Sequence, residues 1–289
     1  MIRANPAKLC AICVLGAVSF LGSDALAHRD LEWQIAELTR RIAGDPENTE
    51  LYLQRGEIHR LHRDWRAAEA DYRRARKLEP DLAAVDFLLG RMKLEADRPK
   101  EAKKLLDRFL AEEPGHALAL VTRARVLVRL KKPLDAARDY TAALAAYDEK
   151  HLPDPAFYLE RARALVSVGD DRIAEALRGL DDGLERLGQP ITLQLYAIDL
   201  ELERDGHDAA LERLERIAAR ADRKESWLIR RGEILEDAGR LEEARAAYVA
   251  ALGAIEHLST LRRQTRAVSR LQLRAEEGLE RLDAAVADD

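Results

Sequence analysis

Two histidines three residues apart, His59 and His62, and a third, His28, have side chains suited to holding a metal. Three residues of spacing put two imidazoles on one face of a helix, and an imidazole beside a free chain terminus can chelate copper. His28 offers the second arrangement only if the segment before it is removed. No cysteine or further histidine-rich stretch joins these residues, so no metal or cofactor is expected, with His28 left as a candidate copper ligand. Catalytic sets are equally thin. There is no thiol besides Cys10 and Cys13, no glycine-rich phosphate loop behind a strand pattern, and no Gly-x-Ser-x-Gly elbow. Carboxylates are plentiful, but they fall in pairs such as Glu212 with Arg216, at the four-residue spacing of a solvated helix face. The chain is expected not to be an enzyme.

The elements that carry these residues follow an export-type leader. Met1 to Ala27 places Arg3 and Lys8 ahead of an apolar run from Leu9 to Leu21, then Ala25-Leu26-Ala27. That charged, apolar and small-residue order is the pattern of a secretory signal peptide cut after Ala27. The apolar run of 13 residues is shorter than the roughly 20 needed to cross a bilayer, so no stable membrane span is expected after cleavage. Both cysteines leave with the leader, and the mature chain from His28 would have no thiol in a compartment that permits disulfides. Of 48 basic and 53 acidic residues, the leader removes Arg3, Lys8 and Asp24, which leaves 46 against 52 and a formal charge of −6. So weak an acidic balance argues against nucleic acid or an anionic lipid surface as the main partner. Charged residues at 35% with aromatics at 5% point to many exposed helix faces in place of one thick core. The abundance of Ala and Arg suggests a bacterial envelope protein, periplasmic or secreted.

Internal periodicity is plain. Gly56 and Gly90 lie 34 residues apart, as do Pro80 and Pro114. Within that period, LYLQRGEIHRLHRDWRAAEADYRRARKLEP sets Tyr52, Gly56, Ala68, Tyr72, Ala75 and Pro80 in a pattern that resembles the tetratricopeptide repeat. The second repeat keeps Gly90, Ala102 and Pro114, and the third keeps Ala124, Ala136, Tyr140 and Ala143. A fourth has Ala162 and Gly169 but needs about two extra residues before Ala176 to keep phase with the period. A fifth, from Ile191 through Ala210 and Ile217, retains little of the motif, and the sixth is clear again with Gly232, Ala244, Tyr248 and Ala251. The resemblance implies an all-α fold, a right-handed α–α superhelix of about six helical hairpins. Capping helices are expected at both ends: the stripe Leu31, Ile35, Leu38 and Ile42 within 28–48, and Leu261, Val268, Leu271, Leu279 and Leu282 within 258–286. Repeats one to three would span 49–147 and repeats four to six 156–257, separated by a segment 148–155 that holds Pro153 and Pro155.

Arg55 and Asp71 occupy the seventh and twenty-third places of repeat one, and Arg123 and Asp139 the same places of repeat three, which suggests ion pairs between the two helices of a repeat. The family binds partners on its inner face, lined by positions two, five, nine, twelve and thirteen of each first helix. Position five reads Leu53, Phe87, Val121, Leu159, Leu195 and Ile229, an apolar row. Position nine reads Glu57, Arg91, Arg125, Arg163, Asp199 and Glu233, three arginines flanked by acids. A planar, permanently charged guanidinium suits carboxylates, so the resemblance implies a protein or peptide partner carrying an acidic side chain or a C-terminal carboxylate. The asparagine by which family members clamp such termini is absent from position nine. In an alternative arrangement, Glu57 pairs with Arg91 and Asp199 with Arg163, leaving Arg125 without a partner in that row. His59 falls at the family's inward tyrosine position, which makes it core or groove wall. A second reading of function is a structural subunit of an envelope assembly that uses its outer face or caps; a third is copper handling through His28.

Overall fold

The computed structural model describes the backbone of residues 24–287 and the side chains of residues 31–284. Of the expected leader Met1 to Ala27, residues 1–23 with Cys10 and Cys13 lie outside the described residues, as does the His28 side chain. The rest is α-helical, with no strand among the described residues. Contacts divide the chain into two compact units, with the chain boundary between Ala146 and Tyr147.

In the first unit α1 (Asp24–Gly44) precedes three hairpins: α2 (Thr49–Leu61) with α3 (Trp65–Leu78), α4 (Ala84–Glu95) with α5 (Pro99–Glu112), and α6 (Ala117–Arg129) with α7 (Pro133–Ala145). The second holds α8 (Pro155–Val166) with α9 (Ile173–Leu187), α10 (Ile191–Glu203) with α11 (His207–Arg220), and α12 (Glu225–Asp237) with α13 (Leu241–Glu256), then α14 (Thr260–Arg263) and α15 (Arg266–Ala287). Inside each unit every second helix also packs on the first helix of the next hairpin. That is the stacking of a helical-repeat solenoid, in which one hairpin cannot bury its own apolar face.

The motif residues act at the narrowest crossing. A Cβ on Gly56 would lie 2.7 Å from the Tyr72 ring, and one on Gly232 only 2.6 Å from the Tyr248 ring, so α2–α3 and α12–α13 approach more closely there than any larger residue permits. Tyr72, Tyr140 and Tyr248 are buried, as are Ala68, Ala75, Ala102, Ala136 and Ala244, whereas Pro80 and Pro114 sit exposed just past the ends of α3 and α5. Hairpin turns repeat as well. Arg63, Asp97, Lys131, Asp205 and Gly239, at place fifteen of repeats one, two, three, five and six, have φ of 60, 55, 59, 59 and 71°. The following amide donates five residues back, as from Asp64 to His59 at 2.9 Å and from Arg240 to Leu235 at 2.8 Å, which closes each helix in a Schellman turn. Repeat four is the exception: its extra residues form a 3-10 turn, Asp170–Arg172, ahead of α9.

At the ends, α1 buries Leu38 and Ile42, and α15, which packs on α12 and α13, buries Val268 and Leu282. Leu261 departs from the expected cap stripe. It lies on the separate short helix α14, turned to solvent at 80% exposure.

Candidate functional site

The first helices of the hairpins, α2, α4 and α6 in one unit and α8, α10 and α12 in the other, carry the residues at positions five and nine. Position five does not form the expected apolar lining in the first unit. Leu53, Phe87 and Val121 are 3, 7 and 1% exposed, and in the second unit Ile229 is also enclosed. Helix geometry explains the correction: at about 100° per residue, position five lies only about 60° from position eight, which faces the second helix, whereas positions two and thirteen lie about 120 to 140° away. Phe87 shows the result, its ring 5.4 Å from Phe109 and 5.0 Å from His116.

The apolar side chains that do reach solvent on these helices are others. On α6, Leu118 and Val128 are exposed, Val128 at 43%, and exposed Arg125 stands between them in sequence. Arg125 is not solitary as the position-nine row implied, since it takes part in an interaction of its own. Arg129, one residue past Val128, holds Asp97 at 3.1 Å. On α10, Ile191 and Leu195 are exposed one turn apart, Leu195 at 39%, and Leu159 on α8 is half-buried.

Charges along position nine are largely engaged. Glu57 accepts hydrogen bonds from the Arg91 guanidinium, from the Tyr72 hydroxyl and, at 3.2 Å, from Arg60, while Arg60 also grips Glu95 at 2.6 Å. Arg91 further lies 5.6 Å from the centre of the Phe87 ring. The Glu57–Arg91 pairing of the alternative arrangement is therefore present; the Asp199–Arg163 pairing is not. Asp199 meets Arg230 at 3.2 Å, and exposed Arg163 lies 5.5 Å from the centre of the Tyr196 ring. Arg274 of α15 closes on Glu233 at 2.5 Å, so the last first-helix acid is held by the cap. Tyr196, half-buried beside Leu195, had no signal in the motif because position six is not one of its lining places. Burial first, and the Glu203 charge second, push its hydroxyl above the ordinary tyrosine pKa.

The predicted ion pairs between helices are formed: Arg55 donates to both oxygens of Asp71 at 2.8 and 2.6 Å, and Arg123 to both of Asp139 at 2.7 and 2.8 Å. His59 sits half-buried with Nε2 3.9 Å from Asp71, whose oxygens Arg55 already occupies, and burial lowers its pKa. Among the described residues no three His, Cys, Asp or Glu side chains gather as a metal site. No described helix is long and apolar enough to cross a membrane.

Solved structures of the same architecture exist. PilW, a widely conserved type IV pilus biogenesis factor, aligns with a TM-score of 0.54 and 20% identity over 68% of this chain and 88% of PilW. A tetratricopeptide repeat protein from Parabacteroides merdae gives 0.51 and 17% over 88% and 95% of the respective chains. PilF of Pseudomonas aeruginosa gives 0.51 and 16% over 80% and 99%. No protein-family model and no curated protein sequence matches the chain. With hairpins stacked at a 34-residue period, the chain has the tetratricopeptide-repeat fold.

Proposed function

We propose that this chain is a non-enzymatic scaffold that holds a segment of a partner protein against the solvent-exposed side of its first helices, the lining places of the repeat. One observation carries the reading: α6 presents Leu118, Arg125 and Val128 as exposed residues of a single helix, two apolar side chains about 15 Å apart along the axis with a guanidinium between them. Such a patch suits an extended segment with an aliphatic side chain and a carboxylate, because apolar burial supplies affinity and the guanidinium selects the anion. Ile191 and Leu195 with Arg163 offer the same chemistry in the second unit. The residues enclosed at position five, Leu53, Phe87 and Val121, belong to the scaffold and not to this surface. The leader pattern of Met1 to Ala27 supports work in a bacterial envelope, periplasmic or secreted.

A photo-crosslinking side chain at position 118 or 195 should capture one discrete partner from the native envelope, and Arg125→Glu should weaken that capture most at low salt while leaving helicity unchanged. Equal capture from a crosslinker at Glu242, an exposed residue of the second helix α13, would remove the first-helix faces from consideration. A second reading, a subunit that assembles through its C-terminal cap, draws on exposed Leu261 and Leu273. Leu273→Asp would then abolish assembly and Arg125→Glu would not. Leu279 cannot serve for this test, because it packs on the core of the last hairpin.

A further inference from the structure

Away from the surface just described, the first unit holds a cleft of about 540 Å³ between α3 and α4. Its wall is the half-buried indole of Trp65 and its floor includes Met92 and Ala96. Four cations line it, Arg66, Arg73, Lys93 and Arg98, against one carboxylate, Glu69.

The carboxylates within reach are already used. Glu69 takes Arg73 on one oxygen at 2.6 Å and Lys93 on the other at 2.7 Å. Glu101, at the edge, takes Arg98 on one oxygen at 2.6 Å and stands 3.6 Å from Lys93 with the other. Counting Glu101, four positive charges face two negative ones. The Lys93 side chain is 5% exposed, so its charge is fixed in the cleft and is not spread into bulk water. Each guanidinium has five N–H donors, and the bonds of Arg73 and Arg98 to these acids use one nitrogen apiece. Glu69 registers the surplus: burial alone would raise its pKa, yet the hydrogen bond and charge of Lys93, with the charges of Arg73 and Arg98, bring it below the ordinary value.

We propose that this cleft binds a small organic anion, a carboxylate or phosphate carried on an apolar body. The anionic group would be held by the rim guanidinium groups of Arg66 and Arg73 and the apolar body would lie against Trp65 and Met92. The volume lies within the range of small-molecule pockets, about 300 to 1,000 Å³. An apolar wall with a few convergent polar groups is also how such pockets orient a ligand.

The test uses the full chain with Trp33→Phe and Trp227→Phe, which leaves Trp65 as the only indole. Benzoate and phenyl phosphate are titrated separately, with inorganic phosphate as the third arm. At least one organic anion should give a saturable change in Trp65 emission in the millimolar range or below, and the stronger of the two identifies the anionic group. Arg66→Ala with Arg73→Ala should raise its Kd by about tenfold or more, the scale of one lost charge-assisted hydrogen bond. Both residues are exposed, so circular dichroism should be unchanged. No saturable change with either organic anion, an unaltered Kd in the double variant, or inorganic phosphate bound as tightly as phenyl phosphate would each overturn the proposal.

Discussion

Repeats one and three tie their two helices with an arginine on the first and an aspartate on the second; repeat five does so with the charges exchanged. Arg55 and Arg123 each spread a guanidinium over an aspartate of their own repeat and extend Nη1 to a preceding helix, to Thr39 at 3.0 Å and to Asp107 at 3.2 Å. In repeat five the arginine is Arg213, at place twenty-three of the repeat, and it bridges Asp181 of α9 at 2.6 and 3.0 Å and Glu201 of α10 at 3.3 Å. What persists is a planar donor fork where three helices meet. Either helix of the hairpin can supply it, provided the neighbours supply acceptors.

Exchanging the charges should therefore be tolerated in one repeat and not in the other. Glu201→Arg with Arg213→Glu sets a new carboxylate at position 213 against Asp181, and denaturant unfolding should show a loss on the order of 3 to 5 kcal/mol. Arg55→Asp with Asp71→Arg meets the Thr39 hydroxyl and the His59 ring but no further acid, and should lose about 1 kcal/mol. Equal losses would mean that the fork does not depend on its third helix.

Place eight offers the next contrast, since repeat one has Gly56 and repeat three Ala124 against the same tyrosine position. Gly56→Ala should cost about 1 to 3 kcal/mol by overpacking against Tyr72, and Ala124→Gly about 1 to 2 kcal/mol through helix propensity and the loss of a buried methyl. A neutral Gly56→Ala would show that α2 and α3 can move apart freely.

At place fifteen, Lys131 adopts the left-handed conformation that Gly239 adopts in repeat six. Lys131→Gly should gain about 1 kcal/mol and Gly239→Lys should lose a similar amount; changes of the same sign would break the comparison.

The smallest expected effect distinguishes the caps of α6 and α8. Backbone amides donate to His116 Nδ1 at 3.1 Å and to Asp154 at 2.8 Å, but only the imidazole titrates near neutrality. Burial holds the His116 pKa below 6.5, with Glu113 the nearby charge acting in the opposite direction. Because the unfolded chain binds this proton more readily, the cap's contribution is full above pH 6.5 and is lost as pH falls towards the folded value. Replacing His116 by Asn should remove about 0.5 kcal/mol of that acid loss, within the range of capping effects. His59, lowered by burial as well, contributes a slope of the same sign. The measurement is thus the difference in unfolding midpoint between the two proteins across pH; parallel curves would refute the assignment.

Much of the fold was legible because its determinants are local and periodic. Small residues at Gly56 and Gly90, tyrosines at 72, 140 and 248, and prolines beyond the second helices recur at fixed spacing, since every hairpin solves the same close-packing problem. The Arg55–Asp71 and Arg123–Asp139 pairs were readable for the same reason. The Arg213 fork was not, because its two acceptors, Asp181 and Glu201, stand at places the Arg55 and Arg123 pairs do not use, and charge reversal hides the kinship. Repeat four was visible only as a shift in phase, and the 3-10 turn that absorbs it follows from chain geometry.

Sequence by itself determined the helix pairs, the period, the small-residue crossings and the type of residue at each lining place, because these depend on neighbours a few residues away or one period away. Tertiary packing decided which of those residues meet solvent. It turned Phe87 towards Phe109 and His116, joined Arg91 to Glu57 and Asp199 to Arg230, and left Leu118, Val128 and Leu195 uncovered. Exposure depends on the space remaining after every neighbouring helix is in place, and a ladder of charges admits several pairings of similar energy until the side chains are packed.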